Sequence, residues 1–261
     1  MLLDAKTWNC WGEGGEAYIL GIARVREARW AKHAEAATIG TRPGMIEDAS
    51  VVRAIEQIAY SKGRRDEVPN QELARALART RDTVGIAEIA KGLHHPTPAV
   101  RSDCIKVLYE IGYLRPELIA PYVSEFLELL TERNNRLVWG GMIALATISS
   151  RRAPEIWDQI DPVMETIERG TLITQIWGTR VLSGVASTLP KSRPRVLPAL
   201  AARIETCDPR DLPLHAEGAL PGVDELNRGT FAAILAGRLD ELSEAQARRV
   251  RIVIRKLDPG R

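Results

Sequence analysis

The chain has 261 residues, of which 45% are hydrophobic and 27% charged, and this composition excludes an intrinsically disordered protein. Its formal net charge of +2 is too small for bulk charge to predict nucleic-acid binding. The longest stretch without a charged residue spans 14 residues, over 137–150, whereas a membrane-spanning helix needs about 20, so we expect no membrane span. Three cysteines far apart in the sequence and the absence of a signal-peptide pattern lead us to expect free thiols and a cytoplasmic location.

The first third of the chain predicts helices without a regular repeat. Helical periodicity extends over 15–37 and again over 45–60, and a charged loop follows over 62–69. The next region, 70–93, predicts one long helix or two helices divided near Asp82.

Between residues 97 and 207 the sequence repeats itself with a period of 38 residues, so that Val100 recurs as Val138 and then as Ile176. Each unit predicts two helices, and the second helix opens at a proline in the middle of the unit. These mid-unit prolines are Pro116, Pro154 and, after a spacing of 40 residues, Pro194.

The second helix carries apolar residues at five matched positions in all three units, which defines its core-facing side. A unit of two helices cannot bury such a side alone, so neighbouring units must stack. The fifteen positions are Leu118, Ile119, Tyr122, Phe126 and Leu129, then Ile156, Trp157, Ile160, Met164 and Ile167, then Val196, Leu197, Leu200, Ile204 and Cys207.

The C-terminal part predicts a shorter version of the same arrangement. Pro213 and Pro221 shorten the next first helix, and the last two helices are expected over 224–239 and 243–257. The final helix starts with the spacing of a capping box.

A Pro-Ala-Val-Arg sequence at 98–101 opens one first helix, and with the mid-unit prolines and the 38-residue period it resembles the HEAT-repeat family of armadillo-like α-solenoids. The pattern departs from the family where Trp139 and Trp177 stand at the position of Arg101. The resemblance implies an all-α fold, an α-α superhelix of stacked antiparallel helix pairs, and we expect a single solenoid domain over 1–261. Its predicted parts are irregular N-terminal helices over 1–93, three regular repeats over 94–207 and C-terminal capping helices over 208–261.

Catalytic and metal-binding motifs are missing from the sequence. It contains no phosphate-binding loop and no nucleophile elbow, and His33 and Glu35, which have the spacing of a zinc-deaminase motif, lack the required Cys-x-x-Cys partner. We therefore expect no catalytic residues, no metal and no cofactor. A non-enzymatic function is favoured, with enzymatic activity left open.

Two sets of residues are candidates for binding a protein or peptide. Arg101, Trp139 and Trp177 occupy equivalent positions of stacked units and predict a ridge with hot-spot composition, unless the rings fill gaps between the units. The second set is an acidic stripe on one helical face, interpreted either as a groove wall for a basic amphipathic helix or as a solvated surface. The stripe consists of Asp158, Asp161, Glu165 and Glu168, and the apolar wall of Val123, Leu127 and Leu130.

A nucleic-acid function is the alternative. The stretch from Trp157 to Asp161 resembles the Trp-Asp-x-Val-Asp sequence of HEAT-like alkylpurine DNA glycosylases. That resemblance implies that Trp157 stacks on a damaged nucleotide, Asp161 stabilises positive charge on the sugar and Arg180 holds a phosphate. The repeat register instead assigns Trp157 to the core, and an acidic stripe repels phosphates. A scaffold that binds a protein or peptide is therefore the favoured function.

Overall fold

The computed structural model describes residues 53–258, and all regular secondary structure in this range is helical. These residues belong to one compact unit, Val51–Arg261. The predicted helix over 15–37, together with Cys10, His33 and Glu35, lies outside the described residues. The α-helices are α1 (Val68–Thr80), α2 (Thr83–Lys91), α3 (Pro98–Leu114), α4 (Pro116–Ile119), α5 (Val123–Glu128), α6 (Asn135–Ile148), α7 (Ala153–Asp158), α8 (Ile160–Arg169), α9 (Leu172–Thr188), α10 (Arg193–Thr206), α11 (Leu212–Ala219), α12 (Arg228–Gly237) and α13 (Glu244–Leu257).

The helices form two layers. Helices α1, α3, α6, α9, α11 and α13 pack each against the next and make up the first-helix layer. Helices α2, α4–α5, α7–α8, α10 and α12 make up the second-helix layer, which covers the first. Stacked antiparallel helix pairs of this kind are an α-solenoid, so the predicted all-α superhelix is confirmed.

Most helix boundaries follow local sequence signals. Helix α3 begins at Pro98, and Asp82 divides the predicted 70–93 region, because its carboxylate accepts a hydrogen bond from Gly85 N at 2.9 Å and caps α2. The capping box of Ser243 and Gln246 is present at the start of α13. Of the predicted helix over 45–60, the described part forms only a 3-10 turn, Ala54–Gln57.

The second helix is not continuous in the first two regular units, contrary to the prediction. A 3-10 turn containing Pro121 separates α4 from α5, and Gln159 separates α7 from α8. Proline has no N–H, and its ring clashes with the carbonyl four residues earlier, so Pro162 prevents the helix from continuing through Asp158. The prediction of one helical face carrying all four acidic residues is therefore wrong for Asp158, which ends α7.

The fifteen predicted apolar positions all contribute to one hydrophobic core. Ten are buried, and the other five are partly buried and pack against the core. The partly buried five are Leu118, Tyr122, Trp157, Met164 and Cys207. The repeat register deduced from the sequence is thus correct for the second helices.

Glycines allow the helices of the first-helix layer to approach closely. A Cβ atom on Gly184 of α9 would lie 2.8 Å from the Cβ atom of Ser149, at the end of α6. Gly112 of α3 faces Thr147 of α6 in the same manner. Any larger residue at these positions would push neighbouring first helices apart.

Candidate functional site

Four aromatic side chains form a continuous row on α3, α6 and α9, here called the aromatic row. Trp139 lies 6.2 Å from Tyr109, Tyr109 lies 5.9 Å from Tyr113, and Tyr113 lies 5.7 Å from Trp177, measured between ring centroids. The two tryptophans predicted as a column are thus joined through two tyrosines of α3. Trp139 and Tyr109 are buried, whereas Tyr113 and Trp177 are only half-buried.

Two cations of the chain itself contact the aromatic row, one at Tyr109 and one at its Trp177 end. The Lys106 ammonium lies 4.9 Å from the Tyr109 ring centroid and forms ion pairs with Glu67 at 2.8 Å and Glu110 at 2.9 Å. Burial opposes its charge, but Tyr109, Glu110 and Glu67 together raise the pKa of Lys106 above its ordinary value. At the Trp177 end of the row, the Arg180 guanidinium stacks on the Trp177 ring at 4.9 Å.

Arg101 is separate from the aromatic row. Its Nε donates to the carbonyl of Leu93 at 2.7 Å, and its guanidinium forms an ion pair with Glu132. These contacts tie the turn after α2 to the end of the next second helix. The repeat pattern does not single out Tyr109 and Tyr113, although their spacing of four residues places both on one side of α3.

The second-helix layer carries an acidic surface. Segments Pro116–Thr131 and Ala153–Arg169 together contain eight carboxylates and one basic residue, Arg169. The four predicted acidic residues are all exposed. The carboxylates of the acidic surface are Glu117, Glu125, Glu128, Glu155, Asp158, Asp161, Glu165 and Glu168.

Some of these carboxylates are neutralised and others are not. Asp161 forms an ion pair with Arg195 of α10, and Glu165 forms one with Arg169 at 3.4 Å. Glu155 pairs with Arg152 at 2.8 Å, and Glu117 pairs with Arg81 at 3.8 Å. Within residues 53–258, Asp158 and Glu168 form no ion pair. Net negative charge therefore remains on this surface and attracts cations.

The apolar wall expected beside the acidic residues is not on the surface. Val123 and Leu130 are buried in the core, and Leu127 is half-buried against it. These side chains pack inward and belong to the hydrophobic core. The prediction of a groove with one apolar wall here is wrong.

The residues of the nucleic-acid alternative lie in different layers. Trp157 is half-buried against the core at the end of α7, and Asp161 is exposed at the start of α8. Arg180 belongs to α9 in the first-helix layer, where it packs beside Gly218 and stacks on Trp177.

A buried histidine connects α9 and α11. His215 Nδ1 lies 2.8 Å from the hydroxyl of Thr179, which donates its own hydrogen to the carbonyl of Gln175 at 3.0 Å. Nδ1 must therefore carry the proton, and the buried Nε2 has no hydrogen-bond partner among the described residues. Burial, assisted by the positive charge of Arg203, lowers the pKa of His215 to about 4.

No helix among the described residues has the length and apolar character needed to cross a membrane. Across the same part of the chain, no three His, Cys, Asp or Glu side chains are grouped as metal ligands.

Similarity to known proteins was found at the level of structure. No protein-family model and no curated protein sequence matches the chain. A designed armadillo repeat protein in complex with the peptide (KR)4 is similar with a TM-score of 0.56 and 12% identity, covering 72% of this chain and 87% of that one. Computationally designed armadillo repeat proteins for modular peptide recognition are similar with a TM-score of 0.55 and 10% identity, covering 78% of this chain and 98% of that one. An engineered protein of a structural genomics consortium is similar with a TM-score of 0.54 and 18% identity, covering 79% of this chain and 98% of that one. The chain therefore has the fold of an armadillo-like α-solenoid.

Proposed function

We propose that this protein is a non-enzymatic scaffold that binds a basic segment of a partner protein along its acidic surface. The observation that carries the proposal is the charge of that surface, where four of the eight carboxylates pair with an arginine and the other four form no ion pair within residues 53–258. Asp158 and Glu168 are exposed and engaged in no ion pair within the described range, so a partner's cations can reach them without displacing another charge.

The fold supports this proposal. A solenoid presents a long surface on which successive units can each contact successive residues of an extended partner. The designed armadillo repeat protein that is similar in fold was solved with a peptide of lysines and arginines. The proposal extends to a single solenoid over the whole chain and to a cytoplasmic location, as the sequence predicts.

The aromatic row supplies a second candidate contact. Trp177 and Tyr113 are the accessible members of the row, and a large aromatic side chain next to an arginine is typical of binding hot spots. Trp139 packs on Tyr109 and Arg101 bonds to the turn after α2, so in this proposal they stabilise the surface and do not contact the partner.

Binding of a fluorescent (Lys-Arg)4 peptide to the full chain tests the proposed function. We expect binding at about 50 mM salt that weakens at about 200 mM, where charges are screened more strongly, and no binding of an (Asp-Glu)4 peptide. The double variant Asp158→Lys/Glu168→Lys should bind the basic peptide about tenfold more weakly.

The matched control is the double variant Glu72→Lys/Asp240→Lys, which changes the net charge equally at exposed carboxylates outside the acidic surface. An equal loss in both double variants would show that only bulk charge matters and would overturn the proposed site. Tight, strongly salt-dependent binding of a DNA duplex without binding of the peptide would favour the nucleic-acid alternative.

A further inference from the structure

A cleft of about 200 Å³ opens in the second-helix layer between α8 and α10. Its floor is mainly apolar and consists of the buried side chains of Ile167, Leu182, Leu200 and Thr179. The α10 side of the cleft is formed by Ala199 and Ala202, whose small side chains leave the space between the two helices unfilled. The cleft thus exposes apolar floor atoms beside the acidic surface.

Charged groups line the mouth of the cleft without closing it. The ion pair of Asp161 with Arg195 joins the starts of α8 and α10. Nearer their ends, Glu168 and Arg203 both line the cleft but form no ion pair with each other. Arg203 instead donates to the side-chain oxygen of Gln175 at 3.3 Å, which holds it toward α9. The Glu168 side of the mouth is therefore open to a cation.

We propose that this cleft takes one long basic side chain, lysine or arginine, from the basic partner. The inference rests on the proposed function and specifies how the partner is anchored. The methylene groups of the side chain lie on the apolar floor, and its cation reaches the Glu168 carboxylate, as amphipathic side chains do at protein surfaces. The cleft, with a volume of about 200 Å³ and one side open to solvent, has room for one long side chain.

The surrounding charges favour a basic occupant over an acidic one. A carboxylate directed at Arg203 would enter beside Glu168, which forms no ion pair within the described range, and would be repelled by it and by the net negative charge of the acidic surface. The remaining guanidinium donors of Arg203 suit a backbone carbonyl of the partner instead. An extended basic segment supplies both the side-chain cation and such a carbonyl.

The test fills the cleft without changing its charge. Ala202 is exposed, so the full-length variant Ala202→Trp is expected to keep the thermal stability of the wild type, as is its control Ala202→Ser. We expect Ala202→Trp to bind the (Lys-Arg)4 peptide about tenfold more weakly, and Ala202→Ser to bind as the wild type does. Glu168→Gln, which keeps the shape of the side chain, should weaken binding about threefold to fivefold.

A second peptide keeps the inference testable if Ala202→Trp does not fold. In this peptide 2,4-diaminobutyrate replaces every lysine and arginine, which retains the positive charges on side chains too short to reach the floor. The wild type should bind it about tenfold more weakly than (Lys-Arg)4, whereas Ala202→Trp should bind both peptides alike.

The outcomes separate the two proposals. Equal binding of both peptides by the wild type, or unchanged binding by a folded Ala202→Trp variant, overturns the proposal that a long basic side chain binds in the cleft. If Asp158→Lys/Glu168→Lys still weakens binding in that case, the acidic surface remains the site. If the wild type binds neither peptide, both the proposed function and the proposed role of the cleft are overturned.

Discussion

The buried imidazole of His215 predicts that the protein loses stability as the pH falls from 7 to 5. In the folded state, Nδ1 binds Thr179 and the pKa is lowered to about 4, chiefly by burial. In the unfolded chain the pKa returns to about 6.5, so the unfolded state takes up the proton first. The stabilisation from neutral His215 is fully present above pH 6.5 and is lost as the pH falls toward 4.

The magnitude follows from the difference between the two pKa values. Each unit of difference corresponds to about 1.4 kcal/mol, so the full loss below pH 4 is about 3 kcal/mol. At pH 5 the unfolded histidine is almost fully protonated and the folded one almost fully neutral. The free energy of unfolding should therefore be about 2 kcal/mol lower at pH 5 than at pH 7 from this residue alone.

Urea denaturation at pH 7, 6 and 5 measures this effect when wild type and His215→Gln are compared. Glutamine can still donate a hydrogen bond to Thr179 but does not titrate, so the other groups that titrate contribute equally to both proteins. Between pH 7 and pH 5, we expect the free energy of unfolding to fall by about 2 kcal/mol more in the wild type than in the variant. Parallel pH profiles for the two proteins would refute the reasoning.

Two further predictions concern stability, measured by denaturation at pH 7. Gly184→Ala should destabilise the protein by about 1–3 kcal/mol, because the new Cβ atom overlaps the end of α6. In Gly229→Ala of α12 the new Cβ atom would meet nothing within 4 Å, so this variant should instead stabilise the protein by up to about 1 kcal/mol. A loss of stability in both glycine variants would contradict the packing argument. Lys106→Met should cost about 2 kcal/mol, because two partly buried carboxylates lose their shared cation. Arg64→Met, which breaks only an exposed pair, should cost less than about 1 kcal/mol, and equal costs would refute the role of burial.

Much of the fold could be predicted because its determinants are local or periodic. The apolar positions of the second helices recur at a fixed period, and the caps at Asp82 and Ser243 are short-range signals that the structure retains. The break in the second helix was also encoded locally, since Pro162 forbids a helical hydrogen bond to Asp158. Periodicity alone missed it because apolar spacing continues across the break.

The candidate site was less predictable because it depends on how neighbouring helices are staggered. Equivalent sequence positions predict that Arg101, Trp139 and Trp177 align, yet Arg101 bonds to the turn after α2. The stagger between first helices is set by close contacts such as Gly184 against Ser149, which no pattern within a single unit specifies. It brings the tyrosines of α3 between the two tryptophans.

Between the unit of α6 and α8 and the unit of α9 and α10, the first helices pack tightly and the second helices pack loosely. Glycine contacts allow no further approach within the first-helix layer, whereas the alanines of α10 leave space toward α8. Bending the stack therefore changes the spacing between second helices more than the spacing between first helices. A partner side chain that fills this space would limit how closely α8 and α10 can approach each other.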